Sequence, residues 1–315
     1  ALIVVQGHTS TVNASTARRD PARGEARRVG GARDRTARVW NPAASGAAIE
    51  AEPEGHSEDV NALVTFVDPA TGALRVATGS YWDKTIRVCD ADTGGAMLVI
   101  DVGSGVLALA FFVDPATGAP RLACGSSDKK VRVFDPVAGG EALLVIDMGA
   151  RALAVFTDPA TGASWLACGG FNSKKVRIFD PVAGGDALVV IDVGSEVNVL
   201  AFFADPATGE LRIACGCKDG KVRTRDPVAG GEPLLVLEVG SNWSPVLALT
   251  VFEDPATGAP RLACGTSTKY ETRGNVRVFD PFAGGNALFV LDIGSGVYAL
   301  AVFADPATGE LRIAC

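Results

Sequence analysis

An all-β fold made of seven copies of one four-stranded unit is what this sequence predicts, on three observations. The pentapeptide Asp-Pro-Ala-Thr-Gly begins at Asp68, Asp114, Asp158, Asp205, Asp254 and Asp305, with a variant Asp-Pro-Ala-Arg-Gly at Asp20, so seven anchors stand 44 to 51 residues apart. That period exceeds the roughly 33 residues of helical repeats and falls in the window of propeller blades. Between anchors lie four short apolar runs, none with a 3.6-residue period. The 37 glycines and 17 prolines fall at regular places and read as turns between short elements.

The third unit shows how each element arises. Residues 106–112 are apolar on both faces, as a strand held between neighbouring sheets must be; this is strand a. Asp114-Pro115-Ala116-Thr117-Gly118 makes the turn, with Pro fixing φ and Gly accepting the left-handed conformation. Strand b is 121–124, followed by a polar turn over 125–130 and strand c over 131–134. Asp135-Pro136-Val137-Ala138-Gly139-Gly140 ends strand c, and strand d is 142–146.

A four-stranded sheet of this kind buries both faces only by packing on its neighbours, so the prediction is a seven-bladed β-propeller of four-stranded antiparallel blades, one domain over 1–315. The blades are expected near 7–52, 55–101, 104–147, 150–192, 195–238 and 244–292, with 295–315 joined to 1–6 as the last. Residues 1–5 align with strand d, whereas Cys315 falls in strand b. The last blade is therefore expected to lack strand c, which strands b and d cannot replace by pairing in the same direction, and the natural protein is expected to continue past Cys315.

Gly7-His8 and Gly55-His56 open two units, and strand c reads Thr36-Ala37-Arg38-Val39-Trp40-Asn41 in the first and Thr85-Ile86-Arg87-Val88-Cys89-Asp90 in the second. Asp34 and Asp83 stand six residues before the Trp position. This resembles the Trp-Asp (WD) repeat family. The resemblance covers the chain as a period and thins as a motif: Phe134, Phe179 and Phe279 take the Trp place, Cys89 and Arg225 take it in two other units, and the last five units have no Gly-His. It implies that a His, a strand-b Ser or Thr, a turn Asp and a strand-c Trp form a hydrogen-bonded set stiffening each blade. Only the second unit keeps His56, Thr78 and Asp83 together, so apolar packing is expected to carry most blades. A buried guanidinium at Arg225 is expected to reach an acid or to tilt to solvent.

With 48% hydrophobic and 21% charged residues, disorder and a collagen repeat are excluded. Only two histidines are available, which leaves little room for a Ser-His-Asp arrangement, and no enzyme is expected. No apolar run approaches the roughly 18 residues of a membrane span, and 1–5, apolar but without a basic leader, reads as a strand. The net charge of −7 is uneven, since residues 1–50 hold eight Arg against four acids. That cluster reads as a solvated, degenerate first repeat, and nucleic acid is not the expected partner.

Cys124, Cys168, Cys215, Cys264 and Cys315 occupy one phase of strand b, one per blade. Equivalent strands of packed sheets stand about 10 Å apart, beyond the roughly 7 Å a disulfide spans, so these read as small buried hydrophobes. Free thiols suggest a reducing, cytoplasmic compartment. No Cys-x-x-Cys is present, and turn geometry alone accounts for the repeated Asp, Pro and Gly, so no metal or cofactor is expected. Asp101, Asp147, Asp192, Glu238 and Asp292 end strand d, and cross-strand pairing with the strand-c residues Arg87, Arg132, Arg177, Arg223 and Arg277 is the expectation.

Function is expected where the repeats differ. The a–b and c–d turns are nearly identical throughout, whereas the b–c and d–a turns vary. The latter include Ala150-Arg151, Ser195-Glu196 and the inserted Ser241-Asn242-Trp243-Ser244-Pro245. Tyr81, Trp82, Arg151, Phe171, Lys218, Trp243, Tyr270 and Arg273 supply the aromatic and cationic content of binding anchors on that face. The expected function is a non-enzymatic scaffold binding a protein or peptide there. The alternative is a small-ligand or glycan-binding, lectin-like propeller, with a propeller hydrolase third.

Overall fold

A computed structural model describes residues 8–19, 26–40, 49–51, 55–170, 172–241, 243–268, 274–304 and 310–315. Among them every helix or strand element is a β-strand, and no helix is long and apolar enough to cross a membrane. The first sheet holds β1 (Val12–Arg19), β2 (Ala26–Ala32), β3 (Ala37–Trp40) and β4 (Ile49–Ala51). The second holds β5 (Val60–Val67), β6 (Leu74–Ser80), β7 (Thr85–Asp90) and β8 (Ala96–Asp101). The third holds β9 (Val106–Val113), β10 (Pro120–Ser126), β11 (Val131–Phe134) and β12 (Leu144–Ile146). The fourth runs β13 (Ala150–Thr157), β14 (Ser164–Gly170), β15 (Lys175–Phe179), β16 (Val189–Asp192), and the fifth β17 (Val197–Ala204), β18 (Leu211–Cys217), β19 (Lys221–Asp226), β20 (Gly230–Glu238). The sixth is β21 (Val246–Glu253), β22 (Pro260–Thr266), β23 (Asn275–Phe279) and β24 (Phe289–Asp292). A last pair, β25 (Ala301–Ala304) and β26 (Leu311–Ala314), forms a two-stranded sheet.

Strand order in each four-stranded sheet follows the chain, with antiparallel pairing throughout. The described residues therefore hold six complete four-stranded blades, where the sequence predicts seven with the last incomplete. At the seventh anchor only strands a and b are seen; residues 1–6, assigned by the sequence to that blade, lie outside the described residues. Strand d is shorter than expected in the third, fourth and sixth blades, starting at Leu144, Val189 and Phe289. The N–H groups of Leu143, Leu188 and Leu288 still donate to Val133, Ile178 and Val278.

The strands group into two compact units. One comprises 1–149 with 301–315, the other 150–300. In the first unit, Val29 and Val39 pack with Leu74, Val76 and Cys89 of the second blade, and Ile86, Val88 and Ile100 pack with Leu109, Leu122 and Phe134 of the third. In the second unit, Val176, Ile178 and Ile191 meet Val197, Leu200 and Ile213, and Val222 and Leu237 meet Val246, Leu262 and Phe279. Each fully buried Val, Leu, Ile or Phe contributes about 1.5 to 3 kcal/mol, so blade-to-blade burial is the main stabilising term.

One glycine per strand b sets how close neighbouring blades come. A Cβ at Gly79 would stand 2.3 Å from Val106 Cγ1, and equivalents at Gly31 and Gly265 would stand 2.5 Å from Val60 and Val297. In these blades a Val of the following blade, Val60, Val106 or Val297, occupies the space a side chain would fill, so the glycine is required by packing.

The buried thiols behave as read from the sequence. All seven cysteines are free, six are buried, and burial pushes the Cys124 thiol up to about 12 and that of Cys217 up to about 11. Cys315 is exposed.

Two sequence expectations are corrected. Asp147 and Glu238 of strand d pair with lysines and not with the strand-c arginines Arg132 and Arg223. The residue directly opposite each acid at the start of strand c is Lys175 for Asp192 and Lys221 for Glu238, and Lys221 Nζ lies 2.6 Å from Glu238 while Lys130 Nζ lies 3.8 Å from Asp147. Arg132 and Arg223 instead turn back four residues onto Asp128 and Asp219 in their own b–c turns, the latter at 2.7 Å. Arg225 reaches neither an acid nor solvent: it is buried in the strand-c aromatic column, and its Nη1 donates to the carbonyl of Gly231. A backbone acceptor delivered by the adjacent c–d turn was closer than either alternative, and β20, which starts at Gly230, is the longest strand d of the fold. Its Nε is buried with no hydrogen bond. Exchanging this charge for the aromatic of the other blades, Arg225→Phe, is expected to leave stability unchanged or raise it by up to about 2 kcal/mol in urea unfolding. A loss of similar size would show that the bond to Gly231 governs the turn.

Candidate functional site

The two families of turns differ in construction. The a–b turns are closed by their own side chains. Asp114 accepts from Ala116 N–H at 2.9 Å and Thr117 Oγ1 at 2.7 Å, and Gly118 N–H donates to Asp114 O at 2.8 Å. Those bonds, led by the one from Thr117, hold the Asp114 carboxyl below its ordinary value. Asp68 and Asp254 repeat the arrangement. At the foot of strand b an arginine links the two turns of that end: Arg261 lies 3.4 Å from Asp254 and 3.3 Å from Asp280, and Arg75 pairs with both Asp68 and Asp90. In the fourth blade Trp165 replaces this arginine and stacks edge-on against Phe156 at 5.7 Å. The turn aspartates on this end are committed to turn geometry, which leaves little in them to distinguish one blade from the next.

The b–c and d–a turns are tied to each other across the opposite end. In the third blade Ser127 N–H donates to Gly105 O at 2.9 Å, Gly105 N–H donates back to Ser127 Oγ at 3.1 Å, and the Ser104 and Ser127 hydroxyls are 2.9 Å apart. In the fifth, Lys218 N–H donates to Glu196 O and Lys218 Nζ lies 3.0 Å from Glu196. Four b–c turns place a non-glycine residue in the left-handed region, at Arg35, Lys84, Lys129 and Asn172, where the fifth blade has Gly220.

That glycine is indispensable. Gly240 and Val239 N–H groups donate to Gly220 O, and a Cβ at Gly220 would lie 2.1 Å from Ser241 N. The b–c turn carrying Lys218 and the insertion carrying Trp243 are thereby stitched together, and the insertion closes on itself through the Ser241–Ser244 bridge.

The second blade holds the most complete polar network. His56 Nδ1 lies 2.7 Å from Asp83 and Nε2 lies 2.9 Å from Thr78 Oγ1, while Thr85 donates to Asp83 through both N–H and hydroxyl. Burial lowers the His56 pKa against the opposing pull of Asp83, which fits a neutral ring with Nδ1–H donating to the carboxylate. Burial alone would raise Asp83, but the bonds from Thr85 and the contact with His56 outweigh it and hold the carboxyl low. The first blade keeps His8 on Asp34 at 3.0 Å with Trp40 edge-on to the imidazole, and lacks the hydroxyl because Gly30 stands at the strand-b position. In the third and fifth blades, where the histidine is missing, the strand-c arginine occupies the turn aspartate, so these blades do not rely on apolar packing alone.

Among the residues singled out by sequence, Trp82 and Trp243 are each 66% exposed. Tyr81 and Trp82 are brought into edge-to-face contact at 4.8 Å, and Tyr81 packs over Gly105 of the next d–a turn. Lys218 is exposed in its b–c turn and paired with Glu196. Arg151 is exposed but does not lie in a turn. It is the second residue of β13, at a β-bulge where the register to β14 shifts between Ala150 and Ala152. Phe171, Tyr270 and Arg273 lie outside the described residues.

The bulge is what sequence reading missed. It recurs at the second residue of strand a in all six complete blades, and the unpaired residue there is Asn13, Asn61, Leu107, Arg151, Asn198 or Leu247. Asn13 and Asn198 donate across to Val60 O and Val246 O of the next blade, and Asn61 accepts from Tyr81 N–H. A bulge redirects one side chain toward the varied end. The only sequence signal is polar residues interrupting an otherwise apolar strand.

The family model described as "WD domain, G-beta repeat" matches residues 49–90, the stretch that carries His56, Thr78 and Asp83. None of the curated protein sequences matches this one. Solved structures share the fold. The chain is 15% identical to BBS1N, crystallised in complex with ARL6DN, over 94% of this chain and 86% of that one with a TM-score of 0.68. It is 15% identical to Saccharomyces cerevisiae Sqt1, over 97% and 85% of the two chains with a TM-score of 0.65. The chain is thus an all-β propeller of four-stranded antiparallel blades whose residues 49–90 match the WD-repeat model.

Proposed function

We propose that this chain is a non-enzymatic interaction scaffold, one propeller domain over 1–315 with a seventh blade built on β25 and β26, and that it binds a protein or peptide on the end formed by the b–c and d–a turns. The observation that carries this reading is the pair of two-thirds-exposed indoles, Trp82 and Trp243, on turns held rigid by hydrogen bonds to neighbouring turns. A large apolar ring kept in water on a rigid support costs solvation without adding to the core, and recovers it when a partner covers the ring. The structurally similar BBS1N, crystallised in complex with ARL6DN, supports a protein partner for this fold. Free, mostly buried thiols support a reducing, cytoplasmic setting.

The test compares Trp82→Ala with Trp243→Ala in one chain against Thr117→Ala with Thr208→Ala at the a–b turns. Partner binding is expected to weaken by about 2 to 4 kcal/mol in the tryptophan variant, with its melting temperature retained, and to stay unchanged in the threonine variant. Loss confined to the threonine variant would move the site to the repeated end and favour a repetitive ligand.

A further inference from the structure

Apart from Trp82, Trp243 and Val113, the exposed large apolar side chains among the described residues all lie on strand d or on the c–d turn before it. On β12 and its flanks the pattern is strictly alternating: Glu141, Leu143, Val145 and Asp147 are exposed, while Ala142 and Leu144 are half-buried and Ile146 is buried. Residues 186–192 and 232–238 repeat it, so three blades present acid, Leu, Val, acid at every second residue along one outward line. The alternate residues of strand d have their partner already. A Cβ at Gly284 would stand 2.6 Å from Leu235 Cδ1, and one at Gly230 would stand 3.8 Å from Val189, so the next blade's turn covers the inward side. Leu143 at 57% and Val145 at 47% exposure contribute nothing comparable.

We propose that each of these three outward lines is a docking surface, distinct from the varied turns, for an extended segment of a partner protein in which two apolar side chains are bracketed by Lys or Arg. Glu232 and Glu238, both on β20, stand about 20 Å apart along the strand, the reach of an extended Lys-x-apolar-x-apolar-x-Lys segment. Charge selects this occupant. A second copy of the chain would bring carboxylates against carboxylates in either direction, whereas a basic bracket meets one at each end. Lys130 and Lys221 neutralise part of one end in two blades; Glu141, Asp186 and Glu232 stand exposed at the other. The short strands and end charges also suppress open-ended sheet growth, so contact is through side chains of one partner segment.

The probe is a fluorescent peptide Lys-Thr-Val-Thr-Val-Thr-Lys, with Glu-Thr-Val-Thr-Val-Thr-Glu as control, titrated with the full chain at low salt and read by anisotropy. The Lys peptide is expected to bind about tenfold or more tighter than the Glu peptide. Replacing Leu143, Val145, Leu188, Val190, Leu234 and Val236 by Thr, which keeps β-propensity, is expected to abolish that binding with the melting temperature retained. Should this variant not fold, Glu141→Gln with Asp186→Asn and Glu232→Gln decides the matter, by weakening the Lys peptide alone. Equal affinity for both peptides, undiminished binding to the variants, or self-association of the wild-type chain that the Thr substitutions remove would overturn the proposal. So would loss of peptide binding on Trp82→Ala with Trp243→Ala, which tests the other surface and is expected to have no effect here.

Discussion

Gly79→Ala is expected to destabilise the first unit by about 2 to 4 kcal/mol, one of the largest effects of any single added methyl in the chain. The new Cβ would sit 2.3 Å from Val106 Cγ1 and 3.0 Å from its Cβ. Neither atom can yield. Val106 is fully buried at the start of β9, has a χ1 restricted by its β-branch, and lies in the cluster that joins the second and third blades. Relief would require the blades to separate along their whole contact, losing burial of Ile86, Leu109 and Leu122 together. Urea unfolding measures the cost, and a matched reduction, Gly79→Ala with Val106→Ala, is expected to recover part of it. Recovery would locate the strain in this one contact. An unchanged midpoint for the single variant would mean that blade spacing is not set by the strand-b glycines.

Asp83→Ala is expected to cost about 2 to 4 kcal/mol by a different route. It leaves the Nδ1–H of buried His56 and the N–H of Thr85 without their acceptor, 2.7 and 3.0 Å away in the intact blade. The network also fixes a pH dependence whose sign follows from both groups. Burial lowers the His56 pKa below its ordinary 6.5, so the unfolded chain takes up the proton first and stability is lost as pH falls from about 6.5 toward the folded value. The Asp83 pKa is also lowered, so its contribution is present above the ordinary 3.8 and lost as pH falls through the folded value. The chain is therefore expected to be steady from pH 8 to 7 and to weaken progressively below 6.5. His56→Gln is expected to remove the portion of that slope above pH 5. Identical slopes in the two proteins would place the acid sensitivity elsewhere.

The repeat, the four strands of the six complete blades and the burial of Cys124, Cys168, Cys215 and Cys264 were legible because each rests on local chemistry. Asp114-Pro115-Ala116-Thr117-Gly118 closes its own turn, so its pattern can be read without knowing what surrounds it. What escaped depends on register. Arg132 and Asp147 look like a cross-strand pair on the page, yet Arg132 stands opposite Val145, and the turn brings Asp128 nearer. Arg151 reads as a turn residue because a polar side chain beside an apolar strand marks a turn as readily as a bulge; the pairing of Ala150 with Gly170 and Ala152 with Gly169 tells them apart. Arg225 finds a carbonyl that exists only once the Gly230-Gly231 turn has folded over it. Tyr81, Trp82, Lys218 and Trp243 were legible as residues of the varied turns. The organisation of those turns was not, since the stitching of Gly220 to the insertion joins turns from two different repeats.

Amide hydrogen exchange of the chain, alone and saturated with a captured partner, tests the central claim most directly. Partner binding on the varied end predicts slowed exchange in peptides covering 80–85, 103–106, 195–196, 218–220 and 240–245, with the a–b turns at 68–72, 114–118 and 205–209 unchanged. Protection confined to the a–b and c–d turns would contradict the account.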